Sequence, residues 1–575
     1  MWIISKKAVG SLVNNCNTFK FENYFFYTDN FSDEVKPKEL KWFYTGYISP
    51  RDKVKSKYKN FSTYKLLDGL YSEFNEDFIN YIKGNFILIQ LKSNSFTIYS
   101  DRFGIQKFFY WKDDGDFLIS DNIKEILTNK DCKPSRENIA IYTLTYHFTG
   151  GRTLFHIVFH NQPAERLHYD GNKLENDYYW NPADLLTLTK RDKKILDISN
   201  ALSDAVESNL QIIDNNRISL SLTGGADTRN LLGIFLSKTI KPHLYTYGNP
   251  NSADCKKATS IANGLNLKHE VHDIQMDAIT FERYARHIIR QSGGLSSIHR
   301  VHRIIAVERE KPYAESMFLG TLGGEYVKGV SEDDYIVPPV VYDNWKTEHY
   351  KVDMLKSYFN RKRLNFDPQF VQKIVDFLSH EPYMKGEIIK RKLNSLNYIT
   401  AHLHDAQDVN LYNTVMDYVF TPFLDIDYLE TLFSSQFTFD QKEIVKNKML
   451  RRFENPIYAS RFLETTYKPL TKFRYSGEHI PAEVLTNKYY AGFMKLIRQK
   501  TKPKYPPNFP LDDWMKEFVL KKLPICKEYK ILEETFDLDE MLNELKSEKY
   551  NPKESYWLKY TNPIMMMFII DEFKS

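Results

Sequence analysis

Residues 217–230, RISLSLTGGADTRN, decide how this chain is read. A β-patterned run over 218–222 stops at two glycines, and a helical pattern over 228–238 follows at once. Glycine at 224 and 225 lets the backbone turn sharply and present bare N–H groups. The helix then aims its positive N-terminal end at the same spot, which suits an anion. Thr223 and Thr228 add hydroxyl donors, and Asp227 adds a carboxylate able to hold Mg²⁺. No Gly-Lys-Ser/Thr run is present, so this is not the commonest phosphate loop. A Gly-Gly after a strand is, by itself, only a turn. The residues downstream give it weight.

Beyond the loop, the spacing predicts strands over 242–248 and 269–274 and helices over 252–266 and 276–290. Alternation at these lengths implies a parallel sheet covered on both faces. Ligands of such sheets sit outside the carboxyl ends of the strands, where the Gly-Gly loop falls. A further short strand over 317–319 leads into Gly320-Thr321-Leu322-Gly323-Gly324-Glu325-Tyr326.

The loop resembles the Ser-Gly-Gly-x-Asp-Ser loop of the PP-loop ATP pyrophosphatases, with threonine at both hydroxyl positions. Tyr245-Thr246-Tyr247-Gly248, Asp254, Ala258, Ile261-Ala262 and His269 are similar to the second strand and helix of asparagine synthetases. The resemblance implies an ATP site built from Leu222, Thr223, Gly224, Gly225, Asp227, Thr228, Tyr247, Gly248 and Gly320. It also implies Mg²⁺ on Asp227 and a second acid. The family pattern after the third strand is Ser-Gly-x-Gly-x-Asp-Glu. Here Gly324 stands where Asp is expected, so Glu325 is the candidate second ligand. Thr321 replaces a Tyr or Glu, so the family's acid–base assignment does not carry over. Residues 419–425, VFTPFLD, resemble a Val-Arg-Val-Pro-Phe-Leu-Asp run, and Lys448 to Arg452 a Lys-x-x-Leu-Arg helix. A lysine in the loop that follows stabilises charge in relatives; the candidates are Lys472, which is preferred, and Lys468.

Residues 1–185 have a different texture, with short β-runs rich in Phe, Tyr and Ile. Gly84 to Ile89, Tyr99 to Ile105 and Phe117 to Ser120 form an ordered series. It resembles the glutaminase domain of asparagine synthetases, an α/β sandwich of the N-terminal-nucleophile class. That chemistry needs a cysteine at residue one, acting through its own amino group. This chain opens Met1-Trp2, so the domain is expected to be inactive as an amidotransferase, as in β-lactam synthetases and lasso-peptide cyclases.

Three regions are therefore expected: a glutaminase-like sandwich (1–185), a parallel-sheet PP-loop synthetase domain (190–500) and a helical C-terminal extension (501–575). The 575 residues exceed one hydrophobic core. With 79 Lys+Arg against 74 Asp+Glu, the net charge of +5 is too mild to argue for nucleic acid. Cys16, Cys132, Cys255 and Cys526 lack metal spacing and fit a reducing compartment. No secretion signal is visible, and no window reaches the roughly 18 apolar residues of a spanning helix. A cytoplasmic protein without a membrane partner is expected. Residues 498–504 read as an exposed linker, and 563–570, PIMMMFII, as a tail docked on the core or a partner. His402 and His404, two apart on a helix, face different ways and are not expected to share a metal.

The function implied is ATP-dependent amide formation: a small-molecule or peptide carboxylate is adenylated, pyrophosphate leaves, and an amine of the same substrate attacks. A precursor peptide and its processing protein are then the expected partners. Ammonia-dependent amidation, a non-catalytic ATP-binding scaffold and adenylation of a transfer-RNA base remain the alternatives.

Overall fold

The computed structural model describes residues 1–9, 16–29, 41–182, 184–189, 191–213, 217–321, 323–324, 327, 348–379, 403–438, 448–509, 511–547 and 556–574. Its first third is built from two antiparallel sheets. One has the order β2 (Asn17–Lys20), β3 (Phe25–Thr28), β1 (Trp2–Ser5), β8 (Asp116–Ser120), β7 (Phe109–Asp113), β9 (Val158–His160). The other runs β11 (Leu174–Tyr178), β10 (Glu165–Tyr169), β6 (Phe96–Ser100), β5 (Ile82–Leu91), β4 (Trp42–Pro50). Strand alternation sorts the side chains. Trp2, Ile4 and Ile119 meet Ile87, Ile89 and Ile98 between the sheets. Ile3 and Leu118 turn to the opposite face and join the core of the remaining chain. Helices cover both outer faces, giving a helix–sheet–sheet–helix sandwich.

The second sheet system is all parallel, in the order β14 (His269–His272), β13 (His243–Tyr247), β12 (Ile218–Ser221), β15 (Ser316–Phe318), β16 (Tyr418–Phe420). Its connecting helices are α1 (Ile195–Leu210), leading in, then α2 (Asp227–Ser237), α3 (Ala253–Gly264), α4 (Ala278–Ser292) and α5 (Val301–Glu310). The predicted strands and helices of this half therefore form, with ends one or two residues away from the expected ones.

Glu310, the last residue of α5, is fully buried and ties three strands together. Ser219 donates from β12 at 2.5 Å and His243 from β13 at 2.9 Å, and His272 joins from β14. The hydrogen bond to Glu310 raises the His243 imidazole above its ordinary 6.5, although burial opposes it.

Further on come α6 (Ile426–Phe433), α7 (Lys448–Tyr467), α8 (Lys488–Thr501), α9 (Leu511–Lys522) and α10 (Tyr556–Lys574). The tail reading holds: Ile564 to Ile570 are all buried, within α10. The linker reading needs correction. Residues 498–501 belong to α8, because its apolar and basic spacing keeps the helical period to Thr501, and only from Lys502 is the chain extended. The four cysteines are free thiols.

The sandwich and the parallel sheet meet through a buried ionic cluster. Lys83, 4% exposed, lies 2.9 Å from both Asp425 and Asp427. Arg51 reaches Asp427 at 2.7 Å and Glu430 at 2.6 Å. Tyr47 packs on Phe420 at 5.1 Å, and Asn85 donates to the Val419 carbonyl. Burial works against the Asp427 charge, but Lys83 and Arg51 outweigh it and hold its carboxyl down to about 2.

Removing Lys83 leaves the largely buried Asp425 without its cation. Lys83→Met is expected to lose about 3–5 kcal/mol in urea unfolding. A second expectation concerns pH. An imidazole with a raised pKa binds its proton more tightly when folded, so its contribution is complete below about pH 6.5 and fades as pH rises through the folded value. The urea midpoint should fall over that interval, and His243→Gln should flatten the fall.

Candidate functional site

β12 and β15 are neighbours at the point where the strand order reverses, so the loops leaving them open at one sheet edge. The first loop carries Leu222, Thr223, Gly224 and Gly225. Leu222 is buried; Thr223, Gly225, Asp227 and Thr228 are half-buried. The Gly225 N–H donates to Thr223 Oγ1 at 3.1 Å, which closes the turn. Ala226 offers no side-chain cap to α2, and Asp227 occupies its first turn. The leading N–H groups of an uncapped helix look for an acceptor elsewhere. Thr228 Oγ1 is buried and has no hydrogen-bond partner among the described residues.

The second loop lies directly against that turn. A Cβ on Gly320 would stand 2.7 Å from Thr228 Cγ2 and 2.9 Å from the Thr228 nitrogen. One on Gly323 would stand 2.7 Å from Asp227 Cβ and 2.8 Å from the Phe423 ring. These glycines are there for close approach, a packing reason that the motif comparison did not supply. Thr321 and Gly324 are half-exposed on the same loop. Glu325 lies outside the described residues. So do Leu322, Tyr326 and His402. Among the described residues no group of three or more His, Cys, Asp or Glu side chains converges as a metal site.

At the end of β13 stand Tyr247 and Gly248, as expected. Tyr247 stacks on Phe509 at 5.6 Å, and His302 lies 4.4 Å from the same ring. Burial, reinforced by Arg303 and Arg300, lowers His302 to about 3, so the ring is neutral. Asn508 accepts from the Asn249 N–H through its carbonyl and from Ser252 Oγ through its side chain. Asn508 and Phe509 thus wall one side of the β13 end.

Two basic residues that the sequence reading overlooked fasten a third segment to the Gly-Gly loop. Arg229 has no exposed surface. Its guanidinium donates to the carbonyls of Gly224 (3.3 Å), Phe473 (2.8 Å) and Arg474 (3.0 Å) and stacks on Tyr475 at 4.4 Å. Burial pulls it down to about 10. Lys257, from α3, donates to the Tyr475 and Ser476 carbonyls and pairs with Glu478 at 2.7 Å. The Ser476 N–H completes the join by donating to the Gly224 carbonyl at 2.8 Å. Nothing local marks either residue; only their opposition to a loop some 220–250 positions away gives them meaning.

Lys468 and Lys472 bound a short 3₁₀ turn and are both exposed. Lys472 directly precedes Phe473, whose carbonyl Arg229 holds, so it stands at the entrance to the fastened segment. Asp425, the last residue of the 419–425 run, has another job. It caps α6 by accepting from the Asp427 and Tyr428 N–H groups, and it pairs with Lys83 at the sandwich interface.

No family model matches the chain. Two curated proteins match parts of it. Glutamine-hydrolysing asparagine synthetase 3 of Bacillus subtilis is 27% identical over 185 residues, 31% of this chain and 30% of that protein. A candidate second glutamine-hydrolysing asparagine synthetase of Methanocaldococcus jannaschii is 23% identical over 228 residues, 37% of this chain and 44% of that protein. Each match spans less than half of the relative's length. Weak similarity of this extent supports an asparagine synthetase-like relationship.

Arg229→Met takes the guanidinium donor away from the Phe473 and Arg474 carbonyls, while Gly224 keeps the Ser476 N–H, and a buried unsatisfied group costs about 1–3 kcal/mol. Amide exchange at 473–476 should accelerate before global unfolding. Arg229→Lys should restore little, because an ammonium cannot fork to several carbonyls as a guanidinium does.

Proposed function

We propose that this chain is an ATP-dependent carbon–nitrogen ligase that activates a carboxylate as its adenylate. The observation that carries the proposal is the uncapped start of α2, with Asp227 in its first turn and Gly320 and Gly323 pressed against it, at the reversal point of a parallel sheet. The partial similarity to asparagine synthetases supports the same reading.

The residues present suit a nucleotide. A buried Thr228 hydroxyl with no partner among the described residues, at a helix start that Ala226 does not cap, suits phosphate oxygens. Thr223, Gly224, Gly225 and Thr228 would hold the pyrophosphate portion, and Leu222, Tyr247, Gly248 and Gly320 would line the nucleoside. Asp227 would hold Mg²⁺, with Glu325 as second ligand; the ion would neutralise charge on the departing pyrophosphate. A substrate carboxylate oxygen bonds to the α-phosphorus, and the bond from that phosphorus to the bridging oxygen breaks, so pyrophosphate leaves with the electron pair. An amine nitrogen then attacks the acyl carbon and AMP departs. Lys472, or Lys468 one short turn earlier, would offset the negative charge that builds in both steps.

We place the amine on the same substrate molecule. Ring closure then benefits from a nucleophile already held near the carbonyl. Incubation with ATP and a panel of amino-bearing acids should release pyrophosphate and AMP, and Asp227→Ala should reduce the rate by about 10²-fold or more. Formation of ADP and phosphate would overturn the mechanism. Thr321 and Gly324, which replace the family's polar residues, favour a second reading as a non-catalytic nucleotide-binding scaffold. MgATP binding without pyrophosphate release across the panel would select it.

A further inference from the structure

Five of the ten large apolar side chains exposed among the described residues lie on one helix, α8. Tyr489, Tyr490, Phe493, Leu496 and Ile497 are 76, 52, 61, 59 and 39% exposed. At 100° per residue they share an outward arc of about 120°. Ala491 and Gly492 turn inward and are buried. The helix is firmly seated: Arg498 binds the Glu483 carboxylate, with one contact at 2.7 Å, and reaches the Glu478 carbonyl at 3.5 Å.

Charge sets this stretch apart as well. Residues 488–504 contain Lys488, Lys495, Arg498, Lys500, Lys502 and Lys504 and no Asp or Glu, while the whole chain nearly balances at 79 to 74. Lys500, Lys502 and Lys504 are exposed, the last two on extended chain just past the helix.

We propose that α8 and the basic segment behind it dock the protein on an anionic lipid surface, with the Tyr489–Ile497 ridge set into the headgroup and acyl boundary. A convex apolar ridge suits a soft interface, and a run of single-sign charge on flexible stems suits a diffuse planar field. A second copy of the chain is the poorer occupant, because pairing two such helices would oppose like charges. No described helix is long and apolar enough to cross a membrane, and surface docking needs none. The proposal is independent of the chemistry at the Gly-Gly loop.

The full-length protein should co-sediment with vesicles of phosphatidylcholine containing phosphatidylglycerol at low salt. It should do so weakly with phosphatidylcholine alone or at high salt. Phe493→Ser with Leu496→Ser should weaken binding roughly tenfold or more, and Lys500→Glu with Lys502→Glu and Lys504→Glu by a similar factor. All these positions are exposed, so both variants should keep the parent's circular dichroism and melting curve. Failure to bind anionic vesicles at low salt overturns the proposal, as does binding that neither variant weakens. A concentration-dependent dimer abolished by the Phe493–Leu496 variant would overturn it in favour of a second copy. Salt-sensitive capture by an acidic protein, with vesicle binding absent, would overturn it in favour of a protein partner.

Discussion

The first turn of α2 is the constraint around which the rest of the candidate site is arranged. Ala226 gives it no side-chain cap, and the partial positive charge of a helix start suits an anion. Three separate segments are held against this turn. Gly320 and Gly323 bring the second loop to van der Waals distance. Arg229, one residue past Thr228, reaches back to collect carbonyls from the Gly-Gly loop and from 473–474 together. Lys257 completes the clamp from α3. A buried guanidinium with several carbonyl acceptors is a rigid joint, because moving any one acceptor leaves a donor unsatisfied in a dry place.

The same rigidity extends to the sandwich through the segment after β16. Phe423 lies where a Cβ on Gly323 would collide, and two residues later Asp425 caps α6 and pairs with Lys83. One short run thus supports the second loop at one end and anchors the other domain at its other end.

Much of the fold was legible because its signals are local. The change from strand to glycine pair to helix at 217–230, and the alternation that follows, mark the parallel half. The short aromatic β-runs before residue 185 mark the sandwich. The end of α8 was misplaced because the Lys-rich stretch at 498–504 reads as solvated linker, whereas Arg498 is in fact held by Glu483 and keeps the helical period. Arg229 and Lys257 were passed over because a basic residue on a helix is ordinarily a solvated one. Asp425 was read only as the end of a family-like run, and nothing local shows that its partners are a helix end and a lysine more than 300 positions earlier.

By itself, the sequence determined the strand, glycine pair and helix at 217–230, the alternation of strands and helices that follows, and the short β-runs of the first 185 residues, since backbone preference and hydrophobic period are properties of neighbours. Only the tertiary structure decided which distant side chains lock that turn, why its facing loop must be glycine, and which charges weld the halves together. Those outcomes depend on close approach and on desolvation of paired charges, and neither exists until segments hundreds of residues apart are brought into contact.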